Sequence, residues 1–355
     1  MEQINHAPDM LDLMQQPAFC VKGGNIIRAN QPAVQRQIPQ EGPVSQILTN
    51  GKDEYETFPG GCLYLTVFAG GCQYGASVTR MTDMDVFLLE EETEKAELHA
   101  MSLAAQQLRE PLAGIITTVD RLFPHIPETA SLQASQINQR LFQMLRLLNN
   151  MSDAGRYTKN TKPVMETQNL RSLFDELLAA SAALVSQTGR ILHYNGLTQD
   201  VYCLANKELL ERALYNLLSN AIKFSSQGAD IRVSVTRKKE KLHLTVEDSG
   251  DGITPDMRGN VFSSFLREPG ITDGRYGLGL GMVLVRAAAC AHNGAVLVEQ
   301  PASGGTKITM TIGIRHQKSG TVKSNILTVD YAGEQDHGLI ELSDSLPASA
   351  YKKIN

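Results

Sequence analysis

Apolar residues recur at alternating three- and four-residue steps over two stretches in the first half of the chain. The first stretch runs from Leu98 to Leu122, and the second from Ala134 to Met151. Such a heptad seam is typical of a helix that packs against other helices. Because Pro124 separates the stretches, the sequence predicts two long helices in an antiparallel hairpin. A hairpin buries two seams poorly alone, so pairing with a second chain into a four-helix bundle is its natural completion.

Short alternating apolar runs, separated by glycine pairs, precede the heptad region. This pattern predicts β-hairpins in a small sheet-containing domain over residues 10–90. The four runs are Ala18–Val21, Asn25–Arg28, Leu63–Phe68 and Tyr74–Thr79.

Helical and strand-like patterns alternate after a linker at residues 156–169. They predict an α/β sandwich, with helices layered over one mixed sheet. A tail follows residue 315, with a β-like run and a short helix near its end, and its role is not readable. The predicted elements are helices Leu170–Ser186, Glu208–Ser225 and Leu280–Ala291, strands Ile231–Arg237, Lys241–Glu247, Ala295–Glu299 and Lys307–Ile314, and in the tail Asn325–Val329 and Ser345–Lys352.

Composition narrows the class of protein. The 355 residues are 42% hydrophobic and 20% charged with a net charge of −5, which is ordinary for a soluble globular protein and unlike a basic nucleic-acid binder. No apolar run approaches the ~18 residues of a membrane span, and the first residues lack signal-peptide features, so we expect a cytoplasmic protein. Five scattered cysteines argue against a disulfide framework or a zinc site.

Three polar motifs in the second half could bind a nucleotide. Asn216, Asn220 and Lys223 are four and three residues apart on a predicted helix, so they project from one face. An amide oxygen can ligate Mg²⁺, and a lysine supplies a point charge to phosphates. A solvated polar helix face is the alternative reading of this motif alone.

The other two motifs combine an aspartate with glycines. Asp248 is followed by Gly250 and Gly252 at the end of a strand, where a carboxylate can accept a hydrogen bond from an exocyclic amine. A simple turn is the alternative. A third glycine-rich run leads into a helix, where main-chain amides can meet phosphate. It contains Gly277, Gly279 and Gly281, and Gly304-Gly305-Thr306 precedes the last strand.

The order and spacing of these motifs resemble the Bergerat-type ATP-binding domain of sensor histidine kinases. The resemblance covers residues 95–315 and implies binding of ATP and Mg²⁺, with Asn220 as the metal ligand. It also implies a phenylalanine box that contains Phe262 and Arg267, the latter as a phosphate contact, and a contact at Thr306. The stretch 17–30 resembles the opening of a PAS sensor domain.

One position separates the kinases from related ATPases. Gyrase-like, Hsp90-like and MutL-like enzymes carry a glutamate four residues before the magnesium asparagine, placed to activate water. This chain has Asn216 there, which cannot act as a general base. The resemblance therefore implies a domain that presents or holds ATP rather than hydrolysing it.

The phosphoacceptor segment of the family is present without its reactive residue. Residues 105–112 resemble Ser-His-Glu-Leu-Arg-Thr-Pro-Leu, and the alignment places Gln106 at the histidine and Gln107 at the acid. A glutamine amide cannot form a stable phosphoramidate, so autophosphorylation at this position is excluded. In the family, a Thr, Asn or Gln one turn beyond the histidine commonly orients water for phosphatase activity. This chain has Glu110 there, so the resemblance does not imply phosphatase activity. His99 is a weak replacement candidate, ~10 Å away along the helix.

The sequence thus predicts an α+β multidomain protein whose enzymatic activity stays open. Its parts are a PAS-like α/β domain (10–90), a dimerisation hairpin (91–160), a histidine-kinase-like ATP-binding domain (165–315) and a tail (316–355). The leading hypothesis is a pseudokinase that forms a homodimer or heterodimer through residues 95–155. Its partner would be a response regulator or a genuine kinase. The alternatives are an active kinase that phosphorylates His99 or a partner histidine in trans, and a scaffold without ATP.

Overall fold

The computed structural model describes residues 11–158, 163–253, 261–262, 279–316 and 336–352. Its N-terminal part is an antiparallel sheet with two short helices, and both predicted hairpins are confirmed. The aromatic rings of Phe19 and Phe87 stack at 4.5 Å in its core. The elements are β1 Ala18–Lys22, β2 Asn25–Ala29, α1 Gln31–Gln35, β3 Gly42–Pro43, β4 Leu48–Asn50, α2 Lys52–Glu56, β5 Cys62–Ala69, β6 Cys72–Arg80 and β7 Asp85–Leu89.

Two long helices follow, α3 (Glu92–Leu122) and α4 (Ser131–Thr158), and they pack against each other. The heptad seam divides into two sets along them. One set is buried: Leu98, Ala105, Leu112, Ala134, Leu141 and Leu148. The other set is about half exposed: Leu108, Ile115, Leu122, Ile137 and Met144.

The third part has helices over a sheet, as the sequence predicted. The parallel pairing of β9 with β11 makes that sheet mixed. The predicted linker at 156–169 is wrong at both ends, because residues 156–158 belong to helix α4 and residues 166–169 form a strand that pairs with β10. The elements are β8 Glu166–Asn169, α5 Leu170–Ser186, β9 Ile191–Asn195, β10 Tyr202–Ala205, α6 Lys207–Phe224, β11 Asp230–Lys238, β12 Lys241–Glu247, α7 Leu280–Ala291, β13 Val296–Glu299 and β14 Lys307–Gly313.

The N-terminal sheet and the sheet of the third part are continuous. Strand β5 pairs antiparallel with β13, so twelve of the described strands form one sheet in the order β3-β2-β1-β7-β6-β5-β13-β14-β12-β11-β9, with β4 on β5. Glu54 crosses the junction, where its carboxylate accepts from Lys241 Nζ at 2.7 Å and from Thr311 Oγ1 at 2.7 Å. The sequence did not predict this junction.

The described part of the tail folds back onto the molecule. Helix α8 (His337–Glu341) contacts α4, α5 and α6, and a 3₁₀ turn at Ala348–Tyr351 packs on α4. The helix predicted near residues 345–352 is present as that short turn, whereas the predicted run at 325–329 lies outside the described residues. Within the described ranges, no helix is long and apolar enough to cross a membrane.

Candidate functional site

Helix α6 carries the first predicted motif. The Asn206 side chain caps its start by accepting a hydrogen bond from Leu209 N at 2.9 Å. At ~100° per residue, Asn216, Asn220 and Lys223 fall within ~60° of one another around the helix. Asn216 is buried and its amide donates to Arg212 O at 2.8 Å.

Asp248 is held at the end of β12 by the main chain. Its Oδ1 accepts from Gly250 N at 2.9 Å and from Thr306 N at 3.2 Å, while Asp248 N donates to Thr306 O at 2.9 Å. Its Oδ2 makes no hydrogen bond within the described ranges. Burial raises the pKa of Asp248, and the two N–H donors oppose that rise. The second oxygen is therefore fixed in position and available to a ligand donor.

Two glycines let the loops around Asp248 approach closely. At Gly305, with φ +80°, a Cβ would lie 1.9 Å from Asp248 O. At Gly252, with φ +77°, a Cβ would lie 2.6 Å from the Gln300 amide nitrogen. At Gly305 a side chain would collide with the Asp248 main-chain carbonyl and push the loops apart, whereas at Gly252 the positive φ disfavours a side chain and the Gln300 amide would have to move.

The glycine-rich run enters helix α7 beside the first motif. Gly279 caps the helix with a left-handed φ of +73°, and a Cβ on Gly281 would lie 3.0 Å from Asn216 Oδ1. Phe262 is buried, with its ring 5.4 Å from that of Tyr64 on β5. Gly277 and Arg267 lie outside the described residues.

The residues present fit the implied magnesium ion. Asn220 is half-buried and makes no hydrogen bond within the described part of the chain. Its carboxamide oxygen is therefore available as a neutral oxygen ligand, the type that Mg²⁺ uses together with waters and phosphates. No group of three or more His, Cys, Asp or Glu side chains is positioned to hold a metal within the described ranges.

Lys223 does not face open solvent. Its Nζ donates to Asp344 Oδ2 in the tail at 2.9 Å, and the same oxygen accepts from Arg146 Nη1 on α4 at 2.7 Å. Burial and the neighbouring Arg146 lower the pKa of Lys223, and the Asp344 carboxylate partly opposes this decrease. Burial would raise the pKa of Asp344, but Arg146 and Lys223 together bring it below its ordinary value.

Ion pairs also join the helical hairpin to helix α6. Arg212 Nε lies 2.7 Å from Asp153 Oδ2 on α4, and Arg212 Nη1 lies 3.5 Å from Glu341 Oε1 in the tail. All three side chains are nearly buried. The motif-bearing helix, the hairpin and the tail therefore meet in one charged contact.

A second charged contact surrounds Arg286, the one basic residue of the apolar helix α7. Its Nη2 donates to Glu94 at 2.8 Å, its Nη1 to Phe262 O, and its Nε lies 3.3 Å from Glu90. The guanidinium also stands over the Tyr64 ring at 5.5 Å. Glu90 follows the last N-terminal strand and Glu94 lies in the first turn of α3, so the Arg286 side chain joins the N-terminal part, the hairpin and the third part of the molecule.

The two glutamines of the altered segment lie on the surface. Ala105 is buried, while Gln106, Gln107 and Glu110 are exposed on α3. The position predicted beside the seam is thus accessible. His99 is half-buried, and its Nδ1 is enclosed without a hydrogen-bond partner in the described ranges.

Sequence reasoning missed Asp344, Arg146 and Arg286. A buried arginine inside the apolar run 280–291 is a signal that could have identified the last of these. The pairing of Asp344 with Lys223 has no sequence signal, because the two residues are 121 positions apart.

Comparison with known proteins covers the same region. Residues 205–316 match the family described as histidine kinase-, DNA gyrase B-, and HSP90-like ATPase. The chain is 25% identical over 237 residues to sensor protein KdpD of Clostridium acetobutylicum, covering 63% of this chain and 26% of that protein. It is 26% identical over 222 residues to sensor histidine kinase RppB of Synechocystis sp., covering 59% and 48%.

One solved structure supports the fold. Full-length ShkA in complex with AMPPNP has a TM-score of 0.50 and 19% sequence identity, over 61% of this chain and 46% of that chain. The chain spans 26% and 48% of the length of the two sequence relatives. The comparisons thus indicate a histidine-kinase-like α/β ATP-binding domain within a mixed α+β architecture.

Proposed function

Because the chain belongs to the sensor histidine kinase family, we propose that it binds ATP with Mg²⁺ and signals without phosphorylating itself. The observation that supports this proposal most directly is that main-chain N–H groups hold Asp248 Oδ1 and leave Oδ2 available to the adenine amine. Asn220 would ligate Mg²⁺, and Lys223 would contact phosphate. The motif glycines, together with Thr306, would let the loops close around the nucleotide.

The pseudokinase assignment rests on the exposed face of α3. Gln106 lies at an accessible position, where the phosphoacceptor of the family would stand, and carries an amide instead of an imidazole. Glutamine has no basic lone pair with which to attack a phosphorus atom. His99 is a poor substitute because it stands ~10 Å along the helix from the phosphoacceptor position of the family; one of its two ring nitrogens, Nδ1, is also enclosed.

The half-exposed seam residues support a dimer. Leu108, Ile115, Leu122, Ile137 and Met144 leave apolar side chains uncovered along α3 and α4 in a single chain. A second hairpin would bury them in a four-helix bundle, formed by another copy or by a related kinase. A response regulator or such a kinase would then receive the signal.

We propose that the N-terminal domain is a PAS-like sensor coupled directly to the ATP-binding domain. The β5–β13 pairing and the contacts of Arg286 with Glu90 and Glu94 support that coupling. A ligand that shifts β7 would move Glu90, and Arg286 would carry the shift to the main chain at Phe262.

Labelling with γ-³²P-ATP tests the proposal. The wild-type chain should acquire no acid-labile label, whereas a Gln106→His, Gln107→Glu variant should acquire it if the ATP site is intact. The same variant with His99→Ala should label equally. Acid-labile label on the wild-type chain that disappears with His99→Ala would overturn the pseudokinase assignment.

Nucleotide binding by calorimetry separates the proposal from a scaffold that binds no ATP. Wild-type protein should bind ATP with Mg²⁺, and Asn220→Ala should weaken the dependence on Mg²⁺. Failure of the wild type and of the tail-truncated chain 1–335 to bind ATP would favour the scaffold.

A further inference from the structure

The C-terminal segment 336–352, called here the C-terminal clasp, is held on α4 by specific contacts. Three amide side chains of α4 donate to its main-chain carbonyls, and Phe142 meets Tyr351 edge-on at 5.1 Å. The donor–acceptor pairs are Asn138 to Tyr351 O at 3.3 Å, Gln139 to Leu346 O at 2.7 Å and Gln143 to Ser343 O at 3.1 Å. The clasp is therefore a docked element rather than a loose tail.

Asp344 of the clasp sits between two cations from different parts of the molecule. One carboxylate oxygen accepts from Arg146 on α4 and from Lys223 on α6, whose side chains are 5% and 14% exposed. Arg146 Nε is enclosed and has no hydrogen-bond partner in the described ranges, since Glu341 Oε2 stands 3.8 Å away. The present carboxylate partners therefore leave one buried guanidinium nitrogen without an acceptor, and such a donor favours a ligand that brings an additional oxygen.

We propose that Arg146 and Lys223 form an anion subsite for the terminal phosphate of a bound nucleotide, and that Asp344 fills this subsite in the nucleotide-free chain. The inference rests on the proposed binding of ATP. A phosphate group accepts from the same planar donors as a carboxylate but offers three oxygens. Arg146 would thus be a phosphate contact from the helical hairpin, outside the ATP-binding motifs.

Competition between clasp and nucleotide follows from this arrangement. A nucleotide phosphate at Lys223 displaces Asp344 and removes an ion pair that holds the clasp between α4 and α6. Release of the clasp removes one connection between the hairpin and the ATP-binding domain, while the direct Arg212–Asp153 ion pair remains. The apparent ATP affinity is then the affinity of the open subsite multiplied by the fraction of time that the clasp leaves the subsite open.

Calorimetry on the full chain tests the competition. Asp344→Asn should tighten ATP binding about tenfold if the clasp fills the subsite nine-tenths of the time. Adenosine, which carries no phosphate, should bind both proteins equally. Asp200→Asn, at a half-exposed carboxylate elsewhere in the domain, is the control for charge. ATP affinity within about twofold of wild type in Asp344→Asn, or an equal gain for adenosine, overturns the inference.

The role of Arg146 needs its own variant. In the Asp344→Asn background, Arg146→Gln should weaken ATP binding about tenfold, the loss of one hydrogen bond to a charged group. Arg146→Lys should restore part of the affinity. An unchanged affinity in Arg146→Gln shows that Arg146 does not contact phosphate.

Hydrogen exchange of the clasp separates this inference from the proposed function, and its main measurement uses the wild-type chain. Sodium tripolyphosphate should raise amide exchange in residues 336–352 of the wild-type chain, and of Asp248→Ala as well. No rise with tripolyphosphate overturns the subsite even if ATP binds. A rise in a wild-type chain that does not bind ATP supports the subsite and refutes the nucleotide function.

Discussion

Replacing Asp248 by asparagine tests the adenine contact at a single atom. Asp248 Oδ1 accepts from Gly250 N and Thr306 N, and the asparagine oxygen can take over both hydrogen bonds. The asparagine NH₂ group then points where Oδ2 pointed. Folding should therefore be preserved, while a donor replaces the acceptor at the ligand-facing position.

The magnitude follows from that exchange. A hydrogen bond to a charged acceptor contributes about 1.5–3 kcal/mol. The adenine amine would lose this bond and face a second donor. Since each 1.4 kcal/mol is tenfold, ATP affinity should fall at least about tenfold and as much as about 100-fold. Guanine presents a carbonyl where adenine presents the amine, so GTP should lose less affinity than ATP, or gain.

Calorimetric titration with ATP and GTP measures both effects. Asp251→Asn, three residues further on and exposed, is the matched control and should leave both affinities unchanged. Thermal unfolding verifies that the variant is folded. If Asp248→Asn binds ATP within about twofold of wild type, or loses ATP and GTP in parallel, Asp248 does not read the base.

Three further predictions concern stability and assembly. Burial lowers the pKa of His292 to about 4, so the folded state favours the neutral ring. The stability that this residue contributes is present above pH 6.5 and is lost as the pH falls towards 4. The free energy of unfolding in urea should therefore be about 2 kcal/mol lower at pH 5 than at pH 7.5, and His292→Asn should reduce that difference. Arg286→Met should cost about 3–5 kcal/mol in urea unfolding, because it leaves Glu90 without its cation, and adding Glu90→Gln should recover part of the loss. In sedimentation, Leu108→Glu should convert a dimer to a monomer, because it places a charge on the half-exposed seam. Leu13 is more exposed but lies outside the seam, so Leu13→Glu should leave the dimer intact. A monomeric wild-type chain would contradict the four-helix bundle.

Local patterns predicted most of the secondary structure. Helices α5 and α7 and strand β12 have the predicted bounds, because the pattern of apolar and polar residues that predicts each of them lies within the segment itself. The prediction failed at 166–169, which lie in the predicted linker but gain a strand partner in β10. The helix predicted at 345–352 is reduced to a 3₁₀ turn at 348–351, which is held by its packing on α4 and by hydrogen bonds of Tyr351.

In the candidate site, too, local sequence features were predictable and contacts between distant segments were not. The spacing of Asn216, Asn220 and Lys223 and the run after Asp248 are local features, so the sequence was sufficient to select them as candidates. Their surroundings come from distant segments. The partner of Lys223 is Asp344, and the carboxylate that accepts from Lys241 belongs to Glu54, 187 residues away.

Three properties of the protein can be read from the order of its residues alone: the helical hairpin, the order of the nucleotide motifs and the amide at Gln106. These properties depend on periodicity and on the chemistry of single side chains. Three other properties are visible only in the folded chain: β5 pairs with β13 in one sheet, Arg286 contacts Glu90, and Asp344 contacts Lys223. Such contacts depend on the pairing of edge strands and on ion pairs between buried residues that are distant in sequence. Neither produces a periodic pattern along the chain.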